Sequence, residues 1–101
     1  MEEICFEIIT NVGMARSSYI EAIHFAKEGK FDKAKEQIEE GKKYFIEGHK
    51  KHAQLISEEA SGKTVDIGLL IVHAEDQLMS AETFSILAEE FISVYKRMGE
   101  K

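Results

Sequence analysis

No proline occurs anywhere in the 101 residues, so no position obliges a helix to stop, and turn-forming residues cluster at only two places. At Glu28-Gly29-Lys30, Gly29 suits the left-handed position just past a helix, and Asp32 or a neighbour can open the next one. At Ser61-Gly62-Lys63-Thr64, Gly62 takes the same part, with Thr64 or Asp66 as the following N-cap. The chain therefore divides into helices over about residues 2–28, 32–60 and 65–98. Short connections make sequential helices antiparallel, which predicts an all-α, up-down-up three-helix bundle.

The apolar spacing says which faces meet. Helix 1 carries Ile4, Ile8, Val12, Ala15, Tyr19, Ala22, Ile23 and Ala26 at steps of three and four, the stripe of a core-facing helix. Cys5, the only cysteine, cannot form an intrachain disulfide and reads as a small buried apolar residue. Helix 2 repeats Phe31, Ala34, Ile38, Gly41, Phe45, Gly48, His52 and Leu55 or Ile56 between Lys and Glu. Gly41 and Gly48 there cost roughly 1 kcal/mol each in helix propensity, so they are expected where a neighbouring helix comes close.

Helix 3 is different. Val65, Ile67, Leu69, Leu70, Ile71 and Val72 occupy nearly every side of its first turns, and a helix that is apolar all round is buried all round. One stripe, Ile67, Ile71, Ala74, Leu78, Ala81, Ala88, Ile92 and Tyr95, carries no charge and reads as the side facing the chain's own core. The other apolar side predicts burial between subunits, hence a homo-oligomer with helix 3 near its symmetry axis.

With 44% hydrophobic and 32% charged residues, the chain reads as one domain over residues 1–101. A formal net charge of −6 disfavours non-specific attraction to nucleic acid or to an anionic membrane surface. Glu2 and Glu3 stand where a secretion signal would be basic, and the apolar runs are too short to span a bilayer. The expectation is a cytoplasmic protein in a reducing compartment, without direct membrane insertion.

The second face of helix 3 reads Leu69, His73, Asp76, Ser80, Thr83, Leu87, Phe91 and Val94, a polar island inside an apolar stripe. An unpaired buried carboxylate costs several kcal/mol, so Asp76 must be solvated, paired, protonated or bound to a cation. On an oligomer axis, copies of Asp76 would repel one another, and a divalent cation such as Mg²⁺ would relieve that repulsion through oxygen ligands from several subunits. His73 has the chemistry of a transient phosphoryl acceptor, because a neutral imidazole nitrogen is nucleophilic near neutral pH. Donors to the phosphoryl oxygens could come from Gln77, Ser80 or a neighbouring subunit.

The segment Leu69-Leu70-Ile71-Val72-His73-Ala74-Glu75-Asp76-Gln77-Leu78-Met79-Ser80-Ala81 resembles the phosphorylation-site segment of the lactose/cellobiose-type enzyme IIA proteins of the bacterial sugar phosphotransferase system. The resemblance extends through Val12-Gly13, Ala15-Arg16-Ser17 and His49-Lys50-Lys51-His52 over almost the whole chain. It implies that His73 accepts phosphate from the phosphocarrier HPr and passes it to a cysteine on the cognate enzyme IIB. It also implies a homotrimer with a nine-helix core, and one Mg²⁺ per trimer held by Asp76 at the subunit axis. A carrier of this class does not choose the sugar; the membrane component does, and the implied cargo is a β-linked disaccharide such as cellobiose, chitobiose or lactose. The chain departs from the family pattern at Glu75, where Gln is common, and at Gln77, where His is common. Glu75 points to another side of the helix than His73, whereas Gln77 keeps donor and acceptor groups but cannot titrate.

Other constellations are weaker. Glu21-Ala22-Ile23-His24 has the Glu-x-x-His spacing of dimetal bundles, but the chain holds no second copy, and a surface position is expected. His49 and His52 are three apart and could hold a metal only with a carboxylate or cysteine partner; among Lys42, Lys43, Lys50 and Lys51 they read as a solvated face, the alternative being a cluster that helps neutralise a phosphoryl group or docks a partner near His73. The competing reading is a non-catalytic helical homo-oligomer or adaptor in which His73 and Asp76 form a buried polar layer that fixes register.

Overall fold

The computed structural model describes residues 2–64 and 67–100. They form three helices, α1 (Glu2–Lys27), α2 (Phe31–Ala60) and α3 (Leu69–Gly99), and no strand is present among them. The bundle is long and narrow, 59 × 18 × 17 Å.

Both glycine-centred breaks take the expected geometry. Gly29 has φ +77° and Gly62 φ +94°, values that only glycine adopts without strain. After α1, the Gly29 N–H donates to the Ala26 carbonyl at 3.0 Å and the Lys30 N–H to the Phe25 carbonyl at 2.9 Å. After α2, Gly62 donates to Glu59 at 3.1 Å and Lys63 to Glu58 at 3.2 Å. Each nested pair satisfies carbonyls that a helix end would leave bare.

Helix α2 begins at Phe31, the neighbour of Asp32, with Lys30 in the cap position and no side-chain cap, so the Asp32 carboxylate lies in the first turn, favourable to the helix dipole. The start of α3 differs from the sequence reading. Helix α3 begins only at Leu69, after an extended Gly68 whose carbonyl accepts from the Val72 N–H at 3.2 Å but which has no side chain to cap the other N–H groups. Thr64 is not helical, and Val65 and Asp66 lie outside the described residues. Ile67, expected on the core stripe, is 83% exposed ahead of the helix. Helix propensity is poor at a glycine, and an exposed Ile67 adds no burial within the chain to offset it.

Two core clusters lie end to end. One joins Cys5, Ile8 and Val12 to Ala74, Leu78 and Ala81, and the other joins Ala15, Tyr19, Ala22 and Ala26 to Ala34, Ile38 and Ala88. The start of α1 therefore lies beside the start of α3, and its end beside the start of α2, the up-down-up order. Gly41 and Gly48 are both buried on α2, beneath the Tyr19 ring and the Val12 side chain of α1, so their lack of a Cβ is used.

Cys5 is 1% exposed, and burial pushes its thiol above the usual range. Alkylation by iodoacetamide at pH 8 should therefore run at least about tenfold slower in the native protein than in denaturant, because the thiolate is the nucleophile. Equal rates, followed by mass spectrometry, would contradict the burial.

Candidate functional site

Of the 31 residues of α3, only Ala74, Leu78, Ala81 and Ala88 are buried, so most of its apolar side chains face outward. Leu69 is 86% exposed, Val72 53% and Met79 65%; Ile86, Leu87, Phe91 and Val94 continue the strip. Ile71, Ile92 and Tyr95 lean inward and are half-buried, as the first stripe requires. A contiguous apolar face of this length is unusual on a monomer and marks a surface meant to be covered.

His73 and Asp76 stand exposed within that strip, while Gln77 and Ser80 are half-buried. The helical period alone gathers them: Asp76 and Gln77 lie one turn beyond His73, and Ser80 two turns beyond. Among the described residues, neither His73 nor Asp76 forms a side-chain hydrogen bond or ion pair within the chain. Leu69 and Leu70 wall a shallow apolar depression against the His73 ring. The arrangement offers an uncommitted, exposed imidazole beside an apolar wall, with amide and hydroxyl groups nearby.

No group of three His, Cys, Asp or Glu side chains able to hold a metal occurs among the described residues. A cation at Asp76 would therefore need carboxylates from several copies. Asp76 suits that arrangement: it is a hard oxygen donor, exposed and free of competing partners within the chain.

The remaining histidines are engaged otherwise. His24 Nδ1 lies 3.8 Å from Glu21 Oε2, both side chains more than half exposed, which is the surface position expected for the Glu-x-x-His pair. The order of the core clusters puts it at the end of the bundle remote from His73. His49 is exposed, with its ring 6.2 Å from that of Phe45 and 6.5 Å from that of His52. His52 is not on a solvated face: its Nε2 donates to Glu75 Oε1 of α3 at 2.5 Å. Sequence reasoning missed that link. Its signal was a histidine on the inward stripe of α2, one turn beyond Gly48.

Of the lysines, Lys50 pairs with Glu47 at 3.3 Å on its own helix, Lys51 with Glu7 of α1 at 3.3 Å, and Lys42 with Glu89 of α3 at 3.2 Å. Such exposed pairs contribute little to stability. None of the helices is long and apolar enough to cross a membrane.

Comparison with known proteins adds an independent line. Residues 3–96 match the family model described as PTS system, Lactose/Cellobiose specific IIA subunit. The lichenan-specific phosphotransferase enzyme IIA component of Bacillus subtilis is 38% identical over 101 residues, 100% of this chain and 92% of that protein. The crystal structure of the PTS cellobiose-specific enzyme IIA from Bacillus anthracis superposes with a TM-score of 0.93 at 43% identity, covering 95% of this chain and 88% of that one. The IIA(chitobiose)–HPr complex of the Escherichia coli N,N'-diacetylchitobiose branch gives 0.85 at 29% identity, covering 98% and 96%.

Proposed function

The chain belongs to the lactose/cellobiose-specific enzyme IIA family of the phosphotransferase system, and we propose that within it His73 is the residue that carries the phosphoryl group. It is a phosphotransferase component, which takes phosphate from HPr. The observation that carries the assignment is an imidazole that the chain's own fold leaves exposed and free of partners, set among the outward-facing apolar side chains of α3. Transfer forms a bond from a His73 ring nitrogen to phosphorus as the bond to the donor breaks, and the ring later yields the group to a cysteine of the cognate enzyme IIB. Little covalent chemistry falls to the protein; positioning and charge neutralisation do the rest. Gln77 and Ser80 supply donors to the phosphoryl oxygens. The sugar that drives the flux is a β-linked oligosaccharide, chosen by the membrane component, and the carrier itself works in the cytoplasm.

Two further copies of the chain cover the apolar strip of α3 in part, giving a homotrimer of nine helices with Asp76 at its axis and His73 still open to HPr. A Mg²⁺ ion bound there by the three carboxylates would neutralise their repulsion and the negative charge close to His73. Replacing Asp76 with Leu should remove the metal yet keep the trimer, because an apolar residue also relieves the repulsion. Metal content by plasma mass spectrometry and molecular mass by sedimentation equilibrium test this; dissociation into monomers would count against an axial carboxylate.

The function itself is tested by incubating the protein with phosphoenolpyruvate, enzyme I and HPr. An acid-labile gain of one phosphoryl group, mapped to the peptide containing His73, is the expected result. An unmodified protein that still folds and associates would leave the helical adaptor as the reading.

A further inference from the structure

Among the described residues, two polar side-chain links join α3 to α2: Lys42 with Glu89 at 3.2 Å, and His52 with Glu75 at 2.5 Å. The first is a half-exposed pair between flexible side chains and constrains little. The second is different, because the His52 side chain keeps only 16% of its exposure and Glu75 lies two residues beyond His73. The His49 ring lies 6.5 Å from that of His52 and 6.2 Å from that of Phe45, a row of rings along α2.

Within the chain itself, the start of α3 has little else to fix its rotation. Gly68 supplies no side-chain cap, Leu69 is exposed, Leu70 and Ile71 only lean on the core, and Ala74 is the first fully buried residue. A methyl group packed in a core permits a helix to roll. A roll of about 10° carries a side-chain tip some 6 Å from the helix axis through roughly 1 Å. Displacements of about that size can cost on the order of 100-fold in rate at a reacting centre.

The geometry points to His52 and Glu75 as positioning residues for His73. The His52 Nε2–H donates to the Glu75 carboxylate, an interaction open to the ring in either charge state, and so clamps the second turn of α3 from behind. Residues two apart on a helix project to nearly opposite sides, so Glu75 holds the turn without touching the transferred group. The pair also accounts for the carboxylate at position 75. Facing a histidine donor, it gains a charge-assisted hydrogen bond that an amide would make more weakly. The inference rests on the reading of His73 as the phosphoryl acceptor.

Rapid-quench transfer from phosphorylated HPr tests it, with wild type, His52→Ala, Glu75→Ala, the double variant and Glu75→Gln compared at a temperature where circular dichroism finds all of them folded. Each alanine variant should lower kcat about tenfold while KM for phosphorylated HPr stays within about twofold. The double variant should be no slower than either single one, since one clamp is lost once. Glu75→Gln, whose amide oxygen still accepts from His52, should remain within about threefold of wild type. If His52→Ala fails to fold, His52→Gln takes its place and should keep the rate through its amide N–H. Alanine variants that transfer at the wild-type rate, or losses that multiply in the double variant, overturn the clamp and leave His73 as acceptor. A wild-type protein that takes no phosphoryl group from HPr overturns both.

Discussion

His73→Ala should lose phosphoryl acceptance by a factor on the order of 10³ or more, with no loss of stability. The chemical half of this expectation follows from the step itself, which has no other nucleophile to fall back on. The other histidines are poor substitutes. His24 and His52 each lie against a glutamate carboxylate, which would repel an incoming phosphoryl group, and His49 sits outside the apolar strip that a partner would cover. Asp76 also stands near His73, and neutralising that carboxylate is what a bound cation would contribute. The structural half follows from exposure. The His73 side chain fills no cavity and forms no hydrogen bond within the chain, so its removal leaves neither a void nor an orphaned group. Alanine is the better helix former, by up to about 0.7 kcal/mol. Intact-mass analysis after the phosphoenolpyruvate reaction, paired with a thermal melt, reads both halves. A variant that melts like wild type and still gains one phosphoryl group would move the site to another histidine, His49 being the first to examine.

How much of this could be read without coordinates differs between elements. The ends of α1 and α2 were legible because Gly29 and Gly62 can take a positive φ cheaply and nothing competes with them. The start of α3 was not. When residues 67 to 72 are apolar on nearly every side, periodicity marks no inner face, and only the absence of a burying partner around Ile67 reveals that the helix starts later. The polar island of His73, Asp76, Gln77 and Ser80 was legible in full, since it lies on one helix and the 3.6-residue period fixes its geometry. The His52–Glu75 link was not, because a contact between helices depends on their axial register, and register is set by packing between α1 and each partner helix rather than by either sequence alone. For the same reason His52 of α2 could be taken for part of a solvated face.

That register is fixed most firmly where α2 crosses α1, and Gly41 is the position expected to be least tolerant of change. A Cβ built there would lie 2.5 Å from Cε1, 2.8 Å from Cδ1 and 3.0 Å from Cζ of Tyr19. These atoms belong to the body of a ring that is 1% exposed and packed in the same core cluster as Ala88 of α3. The ring cannot swing aside without disturbing α3 as well. Overpacking of this kind costs about 1–3 kcal/mol, against roughly 1 kcal/mol gained when alanine replaces glycine in a helix. Gly41→Ala should therefore destabilise by about 1 kcal/mol, lowering the melting temperature by about 4–8 °C for a chain of this size. Gly41→Leu brings further atoms into the same space and should cost more than about 3 kcal/mol, enough to threaten folding of a domain of ordinary stability. Gly48→Ala is the contrast. Its Cβ would meet one methyl of Val12 at 2.8 Å, with Asn11 Cβ at 3.5 Å and Ile8 O at 3.7 Å, so a small shift of a single branch relieves most of the clash. The propensity gain then offsets the rest, and its melt should lie within about 3 °C of wild type. Should both alanine variants melt together, the approach of α2 to α1 is looser than these distances require, and the Tyr19 ring is not what sets the register of the bundle.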